Sequence, residues 1–443
     1  MNDTDQPSSA WGLTPILVFL LLVVVSGLLN QDFTAMPTLT AFMLTVGYAL
    51  VLNPAGQKRS LAEKVELFCA NSGDRTIILM VMVFLLAGAF YSLTIDIGAR
   101  DATVNLGLAF VPEQFLLPGL FLISCVISFA MGTSMGTITA ISPIGIGLAE
   151  SIGIAVPMAL GIVIGGAMFG DNLSFISDTT IAATRTQRVK MTDKFRVNLL
   201  ITLPAVLVTF VALLFVDFGE PLAIPADSYN LVLVLPYFLI IAVALTGMNV
   251  LAVLGVGIAA AGAVGLGTGA FGVMGMFASI QQGIGWMQNL AVIALVVGGL
   301  VGLMRAYGGI TWLLSRLTCG ISSRRQAEFR IAALASLLDI SVANNTIAIV
   351  TAGPVARELN AEFDVDPRRT AGLLDIFSCG FQGLIPYGGQ LLTTSALAGI
   401  SPLLITVYCW YPMLILVSGL VAITLGLPRL RTPHEEDFSA GLN

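Results

Sequence analysis

Charge is scarce in this chain. Lysine, arginine, aspartate and glutamate together make up 10% of its 443 residues, where a soluble protein carries about 25%. That shortage excludes an ordinary soluble globular fold. Histidine is almost missing: His434 is the single one, in a polar tail, so a histidine metal centre or a buried histidine proton relay is excluded. The five cysteines (Cys69, Cys125, Cys319, Cys379, Cys409) are scattered and form no C-x-x-C, which indicates neither a zinc site nor a disulfide framework. No G-x-x-x-x-G-K-[ST] occurs, which argues against an ATP-driven pump within this chain. Gly255-x-Gly257 lacks the strand–turn–helix context of a nucleotide fingerprint. No basic surface suggests nucleic acid. The chain is expected to hold no cofactor and to be no enzyme.

What is present is hydrocarbon. Hydrophobic residues make up 56% of the chain. Apolar runs such as Trp11–Leu29, Thr76–Leu93 and Leu403–Leu425 recur along it. Crossing a bilayer takes about 20 such residues, and the expected fold is an all-α polytopic membrane protein with roughly 10–12 transmembrane segments. Residues 1–10 are polar and acidic, and the first apolar run is too long for a signal peptide, so it reads as a retained first helix.

Basic residues mark the cytoplasmic side of a membrane protein. They cluster at Lys58/Arg59/Lys64/Arg75, Arg185/Arg188/Lys190/Lys194/Arg196, Arg316/Arg324/Arg325/Arg330, Arg357/Arg368/Arg369 and Arg429/Arg431. Placing these clusters inside puts both termini in the cytoplasm and residues 30–33, 217–229 and 398–401 outside. Residues 54–75 read as an amphipathic surface helix between the second and third spans. The small residues of Gly255–Gly272 read as close helix packing.

Against this background Phe169-Gly-Asp-Asn-Leu-Ser-Phe-Ile-Ser-Asp-Thr-Thr180 stands out: two carboxylates, an amide and four hydroxyls in twelve residues. A charge at the bilayer centre costs about 2.5–3.5 kcal/mol on insertion scales. Asp171 and Asp178 are therefore expected to work. Oxygen-only ligands suit a hard cation or a proton.

The punctuation repeats. Gly136-Thr137 is followed by Pro143, Pro157 and Gly170, and Asn345-Thr346 by Pro354, Pro367 and Gly380. The offset is about 210 residues, which divides the chain into halves 1–215 and 216–443. Each half reads as a re-entrant hairpin with a polar tip, Gly132–Thr137 or Ser341–Thr346, followed by a helix broken at a polar stretch, Gly170–Thr180 or Gly380–Gln390. The return after the second tip, Ile347–Val355, reads as only nine residues long. The basic-residue weave gives the halves opposite orientation. Paired interrupted segments in inverted halves point to a secondary transporter's binding site.

The candidate ion ligands are Thr133, Ser134 and Thr137 from the first tip, and Asp171, Asn172, Ser174, Ser177, Asp178 and Thr179 from the first break, with Na⁺ expected at Asp171 and Asp178. The second tip adds Asn344, Asn345 and Thr346. Ser341, Gln382, Tyr387, Gln390, Thr393 and Thr394 are candidates for an organic solute. Asp339 and Asp375 have two readings: coupling carboxylates, or structural locks with an arginine such as Arg305. Thr139, Ser142 and Ser418 read as hydroxyls bonded within their own helices. Burial favours a protonated carboxyl and a nearby cation the ionised one, so one aspartate can hold either a proton or Na⁺.

The first motif resembles the F-G-D-x-x-S-x-x-S-D-T-T signature of the NhaC family of Na⁺/H⁺ antiporters, and Asn344-Asn-Thr-Ile-Ala-Ile-Val-Thr-Ala-Gly-Pro354 resembles that family's second-half motif. The resemblance implies an ion-transporter fold of inverted repeats, each with a re-entrant hairpin and a broken helix, often as a homodimer. Asn172 and Phe175 depart from the lysine and proline of many members, which marks a divergent branch. The function expected is Na⁺/H⁺ antiport by alternating access in the cell membrane. The alternative is Na⁺- or H⁺-coupled transport of an amino acid or small organic acid.

Overall fold

The computed structural model describes residues 8–30, 36–54, 58–175, 177–216, 230–244, 246 and 248–428. The expected outer loops 30–33 and 217–229 fall largely outside these residues, as do Arg429, Arg431 and His434. The described residues form twenty α-helices with two short 3₁₀ turns and no strand. The first five are α1 (Thr14–Asn30), α2 (Thr38–Val51), α3 (Leu61–Ser72), α4 (Arg75–Asp96) and α5 (Ala99–Phe110). A helical hairpin follows, α6 (Leu116–Met131) and α7 (Ser134–Ile152), then a broken helix, α8 (Val156–Leu173) and α9 (Asp178–Gln187). Next come α10 (Met191–Leu214), α11 (Leu231–Ala244), α12 (Val250–Thr268), α13 (Val273–Ala306) and α14 (Gly309–Thr318). The second hairpin is α15 (Arg324–Val342) and α16 (Asn345–Phe363), and the second broken helix is α17 (Pro367–Gln382) and α18 (Gly389–Ala398). The short α19 (Pro402–Thr406) leads to α20 (Trp410–Leu425).

Among the described residues, seven helical segments are long and apolar enough to cross a membrane, and four shorter helices are apolar. The protein is a multi-pass membrane protein. On α10 the large apolar residues Leu200, Leu207 and Val211 are exposed, while Lys194, Asn198 and Thr202 are fully buried. This polarity is the reverse of a soluble helix and suits a helix with lipid on one side and protein on the other. The predicted surface helix forms as α3, entered through a capping box between Ser60 and Glu63.

The order of elements occurs twice. Gly98 and Gly308, both left-handed at φ 72° and 77°, turn the chain from α4 into α5 and from α13 into α14. Gly132 and Ala343 turn the two hairpin tips, also with positive φ. Proline opens α8 and α17, where a helix has no use for the missing N–H.

Three expectations are corrected. The return leg does not stop after the nine residues Ile347–Val355: α16 runs for 19, through Pro354, with Ala352, Gly353 and Ala356 buried on either side of the proline. A Cβ on Gly353 would lie 2.4 Å from Thr186 of α9, so tertiary packing holds the helix through the lost hydrogen bond. Lys194 and Arg369 are not loop charges. Lys194 is fully buried within α10, and Arg369 is buried against Glu328 at 2.8 Å and donates to the Ala422 carbonyl at 2.7 Å. Ser418 bonds across helices, to the carbonyl of Ile201, where an intrahelical bond was expected.

The first broken helix is pressed onto the first hairpin through Gly166 and Gly170. A Cβ on Gly170 would come within 2.3 Å of the Phe129 amide nitrogen and the Ser128 backbone. Backbone cannot step aside as a side chain does. Gly170→Ala is therefore expected to cost about 1–3 kcal/mol, read as a lowered unfolding temperature in detergent. Unchanged thermal stability would contradict the close approach.

Candidate functional site

The chain stops being helical at Ser174 and resumes at Asp178. A helix end leaves its last carbonyls without intrahelical partners. Side chains take them here: the Thr179 hydroxyl donates to the Asp171 carbonyl at 3.0 Å, and the Lys194 ammonium and the Asn198 amide donate to the Asn172 carbonyl. The break is thus held open by protein groups, in keeping with the rule that irregular backbone at membrane depth must be buried or line a cavity.

Asp171 lies at the centre, 3% exposed. Three separate elements donate to its carboxylate: Ser134 of the first tip at 2.8 Å, Ser177 of the first break at 2.9 Å, and Asn345 of the second tip at 3.2 Å. Ser177 and Thr179 also share a hydrogen bond at 2.8 Å. Asp178 is exposed and accepts from Thr346 of the second tip at 2.7 Å. Both hairpin tips therefore close on the first break. Gln390 of the second break donates to Ser134 at 3.2 Å and accepts from Gln382 at 2.6 Å. That chain ties the second broken helix to the first tip and so to Asp171.

A second buried cluster backs the first. Lys194 forms an ion pair with Asp375 and donates to Thr180 at 2.7 Å. Asn198 donates to Asp375 at 3.1 Å and to the Asn172 side chain at 2.9 Å. Cys379 donates to Asp375 at 3.3 Å, and Asn345 contacts its sulfur at 3.6 Å. The partner of Asp375 is Lys194, not Arg305, which is exposed. Sequence reading gave Lys194 to a loop and passed over Asn198 and Cys379. A signal existed: Lys194, Asn198 and Thr202 fall at every fourth position and so on one face of a helix whose second half is almost wholly apolar.

Most of the other candidates bond elsewhere. Thr137, Ser341, Thr393 and Thr394 bond the carbonyls of their own helices, the common fate of a hydroxyl in a membrane helix. Asn344 caps α16 through the Ile347 amide, and Tyr387 donates to the Ile340 carbonyl at 2.6 Å. Thr133 is the N-cap of α7 and makes no capping bond with its side chain. Ser174 is buried at the end of α8.

A cavity of about 70 Å³ runs between α4, α13 and the second tip. Asp74 and Arg305, both exposed, line it together with Ala343, Asn344, Tyr387 and Gly389. Asn344 and Gly389 directly precede Asn345 and Gln390, the residues that connect to Asp171 and Ser134.

Chemically, the arrangement serves two states with one set of groups. A hydroxyl donates to a bare carboxylate, then turns its lone pairs to a cation without moving its oxygen. Ser134, Ser177 and Thr179 are placed for this around Asp171. Lys194 neutralises Asp375, so Asp171 is the buried carboxylate of this network without a cationic partner among the described residues.

Comparison with known proteins places the chain among antiporters. The NhaC Na⁺/H⁺ antiporter of Bacillus subtilis is 30% identical over 216 residues, covering 48% of this chain and 45% of that protein. The malate-2H⁺/Na⁺-lactate antiporter of the same organism is 32% identical over 139 residues, 31% of this chain and 29% of that protein. These two alignments span less than half of either relative. The NhaC Na⁺/H⁺ antiporter of Alkalihalophilus pseudofirmus is 22% identical over 342 residues, covering 70% of this chain and 73% of that protein. The model of the Na⁺/H⁺ antiporter family matches residues 7–219 and 225–428, nearly the whole chain, and the protein belongs to that family.

Proposed function

We propose that this protein exchanges Na⁺ for H⁺ by alternating access, with both ions competing for Asp171. The observation that carries the reading is the convergence of two hairpin tips and one helix break on a single buried carboxylate. Na⁺ would be held by the Asp171 carboxylate and the hydroxyls of Ser134, Ser177 and Thr179. In the proton form the carboxyl O–H would donate to one of these hydroxyl oxygens, which turns its own proton away. Asp178 is exposed and bonded to Thr346, and it acts at the approach to the site, drawing cations in through its charge. The twice-repeated order of hairpin and broken helix supports an inverted-repeat relation between the halves, with each hairpin entering and leaving on one side. The basic clusters that remain exposed support cytoplasmic termini and placement in the cell membrane.

Coupling to an organic solute is the weaker reading. Gln382 and Gln390 bond each other, and Tyr387 bonds backbone, so the groups expected to hold a solute are already engaged. The malate–lactate relative keeps the reading worth measuring. The test is purified protein in proteoliposomes with a pH-sensitive dye, challenged with Na⁺, K⁺ or Li⁺, each with and without amino and organic acids. Proton flux driven by Na⁺ alone is the expected result. Flux that appears only with an organic solute would overturn it.

A further inference from the structure

The antiport cycle just described leaves one buried carboxyl unused. Asp339 is fully buried on α15, one turn before the second tip. Among the described residues neither of its side-chain oxygens has a hydrogen-bond partner, and no lysine or arginine forms an ion pair with it. Asp375 is just as buried, yet it receives an ammonium, an amide and a thiol. The contrast decides the charge state of Asp339. An ionised carboxylate stripped of water and given no donors costs far more than the neutral acid. Asp339 therefore carries a proton in this conformation.

The charged and titratable groups on the elements packed against α15 are committed elsewhere or exposed. On α17, Arg369 pairs with Glu328, Arg368 with Asp366, and Asp375 with Lys194, while Cys379 donates to Asp375. Arg357, Glu358 and Glu362 of α16, Arg316 of α14 and Arg305 of α13 are exposed. Tyr411 of α20 is buried among Phe121 and Phe169. The hydroxyl of Tyr387, in the second break, is taken by the Ile340 carbonyl.

The position of Asp339 links it to the transport site. Its carbonyl accepts from Ala343, closing the left-handed turn of the tip at 2.7 Å. Gln382 holds the Ala343 carbonyl at 3.3 Å. The next two residues beyond Asn344 are Asn345 and Thr346, which donate to Asp171 and Asp178. Asp339 thus lies under the joint between the second tip and the second break. A tip that swings away to release an ion changes what surrounds this carboxyl.

We propose that Asp339 is a second proton-carrying group of the cycle: it takes a proton from water on one side of the membrane while the second tip is undocked, holds it while the tip is docked on Asp171, and gives it to water on the other side when the tip leaves again. The proposal rests on the antiport reading. It separates part of the proton traffic from the site where Na⁺ competes. The number of protons moved per Na⁺ then exceeds what Asp171 alone provides.

The test compares wild type, Asp339→Asn, Asp339→Glu and Asp375→Asn in proteoliposomes. Infrared spectroscopy should show a protonated-carboxyl C=O band in wild type that is lost in Asp339→Asn and kept in Asp375→Asn. Asp339→Asn should retain isotopic Na⁺/Na⁺ exchange and move fewer protons per Na⁺. Asp339→Glu should restore the proton count. A wild-type band and proton count in Asp339→Asn would overturn the proposal. Loss of Na⁺ exchange in both substitutions would make the residue structural and overturn it too. Wild-type vesicles that move no protons with Na⁺ would instead overturn the antiport reading, while the infrared band still reports whether Asp339 holds a proton.

Discussion

Asp171→Asn is expected to abolish Na⁺ binding and Na⁺-driven proton flux while leaving the protein folded. The amide has nearly the shape of the carboxylate, and its oxygen still accepts from Ser177 or Ser134. What disappears is the charge. Hydrogen bonds to a charged group contribute about 1.5–3 kcal/mol each, and a cation held directly by that charge loses at least as much. A loss on the order of 3 kcal/mol is roughly 150-fold in affinity. The proton flux falls to background because an amide does not titrate. Asp178→Asn should behave differently. Its side chain is exposed, so water compensates for much of the lost charge. The half-saturating Na⁺ concentration should rise several-fold with the maximal rate kept. Calorimetric Na⁺ titration beside vesicle flux separates the two variants. Wild-type flux in Asp171→Asn would remove Asp171 from the coupling role.

Much of this was legible in the sequence, and the reasons differ by residue. The breaks after Leu173 and Gln382 were readable because polar, glycine-rich stretches interrupt long apolar runs. Asp171, Ser177, Thr179 and Asp178 were readable because charge is so rare here that two carboxylates in twelve residues demand an account. The tips were readable from matched punctuation, although which tip residues would point at Asp171 was not. Ser134 and Asn345 donate to it, while Thr137 and Asn344 bond their own helices. Helix phase decides that, and phase depends on the residue at which each helix restarts. Lys194 was misread because it follows Arg185, Arg188 and Lys190, and a run of basic residues looks like a loop. The structure begins α10 at Met191, so the last members of that run already belong to a helix that turns Lys194 inward. The return leg was read too short because the packing of Gly353 on Thr186, which holds α16 through Pro354, is not visible in sequence.

Lys194→Met is expected to destabilise the protein by about 3–5 kcal/mol, the cost of leaving a buried carboxylate without its cation. Lys194 holds three things at once: the Asp375 carboxylate, the Asn172 carbonyl at the end of α8, and the Thr180 hydroxyl of α9. Removing it exposes the carbonyl end of α8 and strips Asp375 together. Arginine should not substitute, because the site is fully buried and shaped for a point charge rather than a planar fork. The paired substitution Lys194→Met with Asp375→Asn should recover most of the loss, because the orphaned charge is then gone and Asn198 can still bond the amide. Thermal unfolding in detergent across the two single variants and the double variant gives the coupling energy. Additive losses would mean that the two residues do not depend on each other. Na⁺/Na⁺ exchange in the double variant then asks what the pair is for. A folded variant that still exchanges Na⁺ makes the pair a strut that keeps the first break open beside Asp171. A folded variant that no longer exchanges makes the ammonium part of the cycle, a resident cation that leaves Asp375 when Na⁺ arrives.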